Sequence, residues 1–160
     1  MRRGLIVLLA ASAVAVAASV GVPSAASVGT TTKVVVKTRN IPKLGTLLVN
    51  GKGLTLYMFV PDKQKKVTCV GTCAKVWPPL KLPKGVKPAA AGKAKASLLG
   101  SDPDPSGGRV VTYNHWPLYT YIVDKKPGDA TGQAVNLNGG LWYVLSPAGK
   151  VIRTKPGGYR

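Results

Sequence analysis

With 160 residues, 13 of them Pro and 19 Gly, the chain has room for one core of about 100 to 130 residues made of short elements joined by turns, which excludes a second independent domain and long helices. Its 23 Lys and Arg face only five acidic residues, all of them Asp, for a net charge of +18. That imbalance implies anionic surroundings, and because most of the cations are Lys, a strongly hydrated point charge, it favours diffuse attraction over a precise phosphate pocket.

The chain opens with Met1-Arg2-Arg3, an apolar run from Gly4 to Val22, and Pro23-Ser24-Ala25-Ala26-Ser27. This layout predicts a secretory signal peptide over residues 1–26, cleaved after Ala26 with Ser24 and Ala26 at the small-residue positions. The alternative is an uncleaved anchor, since an apolar run of roughly 18 residues or more can span a bilayer. Only Arg2 and Arg3 of the cations precede residue 27, so the charge excess belongs to the chain beyond the signal segment.

Residues 27–43 read as a linker with a first strand at Lys33 to Lys37. Thr46 to Asn50, the turn Asn50-Gly51-Lys52-Gly53 and Leu54 to Val60 then predict a hairpin. A Pro-, Lys-, Ala- and Gly-rich connector is expected over 82–108, with a mildly helical stretch at Ala89 to Leu99 and an exposed loop from Ser101 to Gly108. Arg109 to Tyr113, a turn at Asn114-His115-Trp116-Pro117 and Leu118 to Val123 predict a second hairpin. Leu141 to Leu145 and Lys150 to Arg153 around Ser146-Pro147-Ala148-Gly149 predict a third. Residues 154–160 form a tail.

An internal repeat organises the domain over residues 44–153. Leu56-Tyr57-Met58-Phe59-Val60-Pro61-Asp62 aligns without a gap with Leu118-Tyr119-Thr120-Tyr121-Ile122-Val123-Asp124, and each copy is followed by a Gly-bearing loop and a Trp, Trp77 in the first and Trp142 in the second. The fold class this predicts is all-β: two pseudo-symmetric antiparallel repeats, about 44–81 and 109–153, packed as one small domain because neither buries enough apolar surface alone.

The duplicated Tyr-x-aromatic-x-x-Asp motif, at Tyr57, Phe59, Asp62 and at Tyr119, Tyr121, Asp124, resembles that of a bacterial family of secreted or lipid-anchored repeat proteins. Cys69-Val70-Gly71-Thr72-Cys73 with Trp77-Pro78-Pro79-Leu80 is similar to the family's first repeat. Val111-Thr112-Tyr113-Asn114, Pro117-Leu118-Tyr119 and Trp142-Tyr143-Val144-Leu145-Ser146-Pro147 are similar to its second. The resemblance implies export and a two-repeat architecture, but no chemistry. It departs in one respect, since no lipid-acceptor Cys stands near the N-terminus.

The two-residue period puts Tyr57, Phe59 and Pro61 on one face of their strand and Met58, Val60 and Asp62 on the other. The aromatic residues, with Trp77, Trp116 and Trp142, are read as core and cross-strand packing, and Asp62 and Asp124 as caps of the loops after them. The rival reading is a pair of carboxylates binding a cation or acting as the acid and base of a hydrolase. No His or Glu stands beside them, no Gly-x-Ser-x-Gly or phosphate loop occurs, and a non-enzymatic module is the expectation.

Cys69 and Cys73, the only cysteines, are expected to form a disulfide in an exported chain and to need no cofactor. The alternative is a copper or redox site of Cys69, Cys73 and His115, the only His, with Met58 as a further soft ligand. The cations at Lys63, Lys65, Lys66 and at Lys81, Lys84, Lys87, Lys93, Lys95 are read as solvated loop charge available to anionic wall polymer or membrane headgroups. Nucleic acid is disfavoured, because the aromatic residues interleave with aliphatic ones rather than with Arg and the chain is exported.

Overall fold

The computed structural model describes residues 33–63 and 66–155. The leader, the linker up to residue 32, Lys65 and the end of the tail lie outside the described residues.

In chain order the strands are β1 (Val35–Ile41), β2 (Gly45–Asn50), β3 (Tyr57–Phe59), β4 (Lys81–Leu82), β5 (Ala89–Ala90), β6 (Leu99–Pro103), β7 (Arg109–Tyr113), β8 (Trp116–Pro117), β9 (Asn136–Leu137), β10 (Gly140–Leu145) and β11 (Val151–Ile152). One short helix, α1 (Thr72–Val76), follows the first motif. The fold is all-β, in three small sheets of order β2-β1-β5, β11-β10-β3 with β9 beside β10, and β4-β7-β6 with β8 beside β7. All ladders are antiparallel except β1 with β5.

The first strand is longer than its β-branched run suggests and pairs with β2 from Val36↔Asn50 to Ile41↔Gly45. Its hairpin closes at Pro42-Lys43, where the Leu44 N–H donates to the Ile41 carbonyl at 3.1 Å. The expected hairpin between Thr46 and Val60 is therefore only partly made. Its turn forms, with both the Lys52 and Leu54 N–H groups donating to Asn50 Oδ1 at 2.9 and 3.0 Å, and Leu56 N–H donates to the Leu48 carbonyl at 3.0 Å. After that rung the chain leaves β2 to pair with β10. The third hairpin forms as β10 with β11.

Two expectations for the connector are overturned. Ala89 to Leu99 is not helical: Ala89 and Ala90 lie parallel to β1, Gly92 then turns the chain at a φ of +63°, and only Ala96–Leu98 makes a 3-10 turn. Gly92 breaks the stretch, and the Ala89 and Ala91 N–H groups find carbonyls of Val34 and Val36 instead. Nor is Ser101 to Gly108 all loop, because Leu99 to Pro103 pairs in full register with β7, from Leu99↔Tyr113 to Pro103↔Arg109. The prolines did not prevent this, since Pro103 is the last residue of the strand, where a missing N–H is tolerated. The second hairpin also differs: β7 turns at Asn114 and His115, with φ of +47° and +66°, into β8, but past Leu118 the chain pairs elsewhere.

Two clusters form the core. One gathers Ile41, Leu44, Leu47, Val49, Tyr57, Phe59, Cys69, Cys73, Trp77, Tyr119, Trp142 and Val144. The other gathers Val36, Leu48, Leu56, Met58, Leu82, Val111, Tyr113, Leu118, Tyr143 and Leu145. β3 lies between them, with Tyr57 and Phe59 facing the first and Met58 the second, as strand alternation requires. The alternation stops at Phe59: Val60–Asp62 is a 3-10 turn in which Val60 is exposed and Asp62 is fully buried, so Pro61 and Asp62 do not keep the faces the period assigns them.

Candidate functional site

The two motif tyrosines meet at the centre of the molecule. Tyr57 N–H donates to the Tyr119 carbonyl at 2.8 Å and Tyr119 N–H to the Tyr57 carbonyl at 2.9 Å, so the two copies form one reciprocal antiparallel pair. On the outer side of the first copy runs β10, with Trp142 opposite Phe59 and Val144 opposite Tyr57. On the outer side of the second copy runs the Trp77-Pro78-Pro79-Leu80 segment, with Leu80 N–H donating to the Leu118 carbonyl and Thr120 N–H to the Pro78 carbonyl. Each motif thus lies against the other repeat's tryptophan segment, and the halves interlock about a pseudo-two-fold axis between Tyr57 and Tyr119.

The side chains repeat that exchange. Tyr57 OH donates to Asp124 Oδ2 at 2.6 Å, and Tyr119 OH donates to Asp62 Oδ2 at 2.8 Å. The other oxygen of each carboxylate holds its own loop: Asp62 Oδ1 accepts from Thr68 N–H and Oγ1 at 2.8 and 2.7 Å, and Asp124 Oδ1 accepts from Thr131 N–H and Oγ1 at 3.0 and 2.5 Å. Gly132 N–H donates in turn to Tyr57 OH at 3.2 Å. Both motif aspartates are buried, and each of their oxygens accepts hydrogen bonds from the chain in a loop-capping arrangement.

Above the tyrosines the remaining motif rings form a continuous stack. Phe59 stacks on Trp142 at 4.2 Å between centroids, Trp142 on Trp77 at 3.9 Å, and Trp77 on Tyr121 at 4.0 Å. Tyr57 and Tyr119 meet Trp77 and Trp142 edge-on at 5.5 and 5.3 Å. Trp116 stands apart, half-buried against the second cluster. The stack breaks its own symmetry at one point: Trp142 Nε1 donates to the Leu137 carbonyl at 3.0 Å, whereas Trp77 Nε1 is buried with no hydrogen-bond partner among the described residues.

Burial raises the Tyr57 and Tyr119 phenols far above their ordinary range, and the facing carboxylates raise them further, so both remain hydrogen-bond donors. Burial likewise raises Asp62 from 3.8, against the opposing bonds from Thr68 and Tyr119. Asp104 is lowered: desolvation pushes it upward, but the bonds from Lys81 and Ser106 outweigh it. The signs of the two linkages are opposite. Asp62 binds its proton more tightly folded than unfolded, so its contribution is complete below pH 3.8 and is lost as pH rises through its folded value. Asp104's contribution is present above 3.8 and lost as pH falls through its lower folded value. Denaturation midpoints measured from pH 2 to 7 should therefore show an upper limb that flattens in Asp62→Asn and a lower limb that does not; a wild-type upper limb retained in Asp62→Asn would contradict the assignment.

Cys69 and Cys73 are joined in a disulfide with a Cα separation of 5.2 Å, across the loop and first turn of α1. The copper alternative needs both of these sulfurs as free thiolates, whereas here they are bonded to each other. His115 sits exposed in the β7–β8 turn, and no group of three or more His, Cys, Asp or Glu arranged to hold a metal occurs among the described residues. Thr68 and Thr131, which complete the carboxylate sites, are the residues that reading the sequence missed. The signal was present: each motif Asp is followed by a Thr, six residues on in one copy and seven in the other.

An interlocked pair of β repeats, joined by reciprocal tyrosine–aspartate bonds and a shared ring stack, defines the class of this protein as a duplicated β module. The chain belongs to the family described as a secreted repeat of unknown function, whose model matches residues 38–81 and 102–146, more than half of its length. No curated protein and no solved structure matches it. No helix among the described residues is long and apolar enough to cross a membrane.

Proposed function

We propose that this chain is a non-enzymatic module of the cell envelope that associates with anionic envelope polymer through its surface charge. The observation that carries the reading is how the two signs of charge are sorted by folding. None of the five Asp is exposed: Asp62, Asp104 and Asp124 are buried, and Asp102 and Asp129 half-buried. Four of them are spent on internal bonds, to Thr68 and Tyr119, to Lys81 and Ser106, to Thr131 and Tyr57, and to the Lys125 and Lys126 N–H groups. Among the described cations every one except Lys37 is exposed, and the only ion pair between described residues is Lys81 with Asp104.

A surface so sorted, with exposed cations and no exposed Asp among the described residues, has a net positive field. Contact with a polyanion then releases counterions, and affinity falls steeply as salt rises. Retention of the purified protein on isolated envelope polymer, measured across a salt series, tests this. Binding that weakens linearly in log–log form supports the reading; absence of retention at low ionic strength, or retention indifferent to salt, overturns it.

A further inference from the structure

Among the described residues five large aliphatic side chains are exposed: Val60, Val70, Ile122, Val123 and Leu137. All five stand where the chain leaves a motif strand, at one end or the other of the ring stack. Val60 follows Phe59 directly, and Leu137 lies beside that exit, since it pairs with Gly140 and Gly140 packs against the Pro61 ring with no room for a side chain. Ile122 and Val123 follow Tyr121. Ile122 N–H donates to the Val76 carbonyl at 3.1 Å, at the end of α1, and Val70 begins the turn into that helix, its carbonyl accepting from Cys73 N–H at 3.2 Å.

The two exits share a side of the molecule. Tyr57, Phe59 and Tyr119 belong to the first core cluster and Tyr121 packs against it, so both motif strands turn their rings to one face. The pseudo-two-fold axis between Tyr57 and Tyr119 exchanges the strands without exchanging their faces, and so stands normal to the pair. A plane normal to that axis therefore meets both exits at a similar depth. Their separation is set by the stack, in which ring spacings of 4.2, 3.9 and 4.0 Å lead from Phe59 to Tyr121.

Each exit is also pinned and cationic. Its carboxylate is turned inward, Asp62 onto Thr68 and Tyr119, and Asp124 onto Thr131 and Tyr57. Lys63 and Lys66 follow the first exit, Lys125 and Lys126 follow the second, and Lys75 stands on α1, all of them exposed. Asp129 spends Oδ2 on the Lys125 and Lys126 N–H groups, which fixes that loop and leaves its ammonium groups outside any ion pair among the described residues.

We propose that these two exits are the footing by which the domain docks on the surface of an anionic lipid bilayer. Docking of this kind goes beyond the polymer reading, which needs only the sorted charge and has no use for exposed aliphatic side chains. A bilayer surface offers both chemistries at adjoining depths: anionic headgroups for the lysines, and acyl chains beneath them for Val60, Leu137, Val70, Ile122 and Val123. A second copy of the chain would cover the aliphatic residues only by bringing these lysines against their own kind. An acidic protein partner would have to present one recognition patch twice, in the symmetry of the exits, whereas a fluid lipid surface is the same at every point. One such tip attaches weakly and reversibly, and two on one plane act together. Because its buried Asp already holds each tip in place, little ordering cost is left for docking.

The test is co-sedimentation of the exported protein with vesicles of phosphatidylcholine alone and of phosphatidylcholine with an equal part of phosphatidylglycerol. Wild type is compared with Val60→Ser/Ile122→Ser/Val123→Ser, whose exposed positions leave the core and the urea midpoint unchanged. An environment-sensitive dye, placed in turn on Val60→Cys, Ile122→Cys and Ala148→Cys, reads insertion at each place however the rest of the chain is attached. The native cysteines are bonded to each other, and Ala148 is exposed in the β10–β11 turn, where the Pro147 carbonyl accepts from Tyr113 of the second cluster. The expected result is binding to the anionic vesicles about tenfold weaker in the serine variant, with little binding to phosphatidylcholine alone. The dye is expected to shift to the blue at Val60 and Ile122 but not at Ala148. Retention on envelope polymer is expected to be the same for wild type and the serine variant, which keeps the two readings separable. Equal vesicle binding by both proteins, with no dye shift at either exit, overturns the docking and leaves the polymer reading standing. A shift at only one exit overturns the paired footing. Equal binding to phosphatidylcholine alone overturns the part given to the lysines. No binding to either vesicle overturns the proposal outright, whatever the polymer retention shows.

Discussion

Tyr57→Phe and Tyr119→Phe are each expected to lower stability by about 2 to 3 kcal/mol, the cost of leaving a buried carboxylate oxygen short of its donor. The rings keep their edge-on contacts with Trp77 and Trp142, so the loss isolates the hydroxyl. What the hydroxyl holds is specific. Tyr57 OH is the donor to Asp124 Oδ2 and Tyr119 OH the donor to Asp62 Oδ2, and nothing else among the described residues donates to either oxygen. Because both bonds cross between repeats, the variants weaken the docking of one half on the other rather than either half alone. Tyr121→Phe is the control: its ring is the last in the stack, but its hydroxyl has no bonding partner among the described residues, and the expected change is within about 0.5 kcal/mol. Urea midpoints for the three variants decide the matter. Equal, small effects at all three positions would show that the motif tyrosines act through their rings alone.

How much of this arrangement was legible in the sequence depends on whether a feature is local. The repeat, the all-β class and the β10–β11 hairpin rest on neighbouring residues and could be read directly. The disulfide also needed only its four-residue spacing and an exported chain. The partner of each motif strand could not be read. Leu54 onward follows a turn and so suggests continued pairing with β2, yet after Leu56 the chain finds Tyr119 on one side and β10 on the other, pairings separated by scores of residues. Likewise, alternation along Tyr57 to Asp62 cannot reveal that the strand gives way to a 3-10 turn, and it is that turn which swings Asp62 inward to meet Tyr119. Thr68 and Thr131 were hidden by the one-residue difference in loop length, which a gapless comparison of the copies does not bridge. At β6 a local rule misled: Asp102-Pro103-Asp104-Pro105 has the composition of a breaker, but only Pro103 falls within the ladder, at its end.

The second large effect is expected at a residue that makes no side-chain contact at all. Gly132→Ala should destabilise by about 1 to 3 kcal/mol, because an added Cβ would fall 2.7 and 2.8 Å from two atoms of the Trp77 ring and 3.0 Å from the Tyr57 ring. Neither ring is free to retreat. Trp77 is fully buried between Trp142 and Tyr121 at stacking distance, and Tyr57 is held by its hydroxyl on Asp124. The backbone cannot back away cheaply either, since Gly132 N–H donates to that same hydroxyl and Thr131, one residue before, is the donor pair to Asp124 Oδ1. A single methyl group is thus set against the ring stack and the tyrosine–aspartate bond together, and the strain must appear in one of them. Gly51→Ala provides the comparison, because a Cβ there meets nothing within 4 Å. If Gly132→Ala lowers the urea midpoint while Gly51→Ala does not, the close packing of the Thr131–Gly132 loop on Trp77 is what fixes the interlock; if the two variants behave alike, the stack has slack that its 3.9–4.2 Å spacings do not suggest.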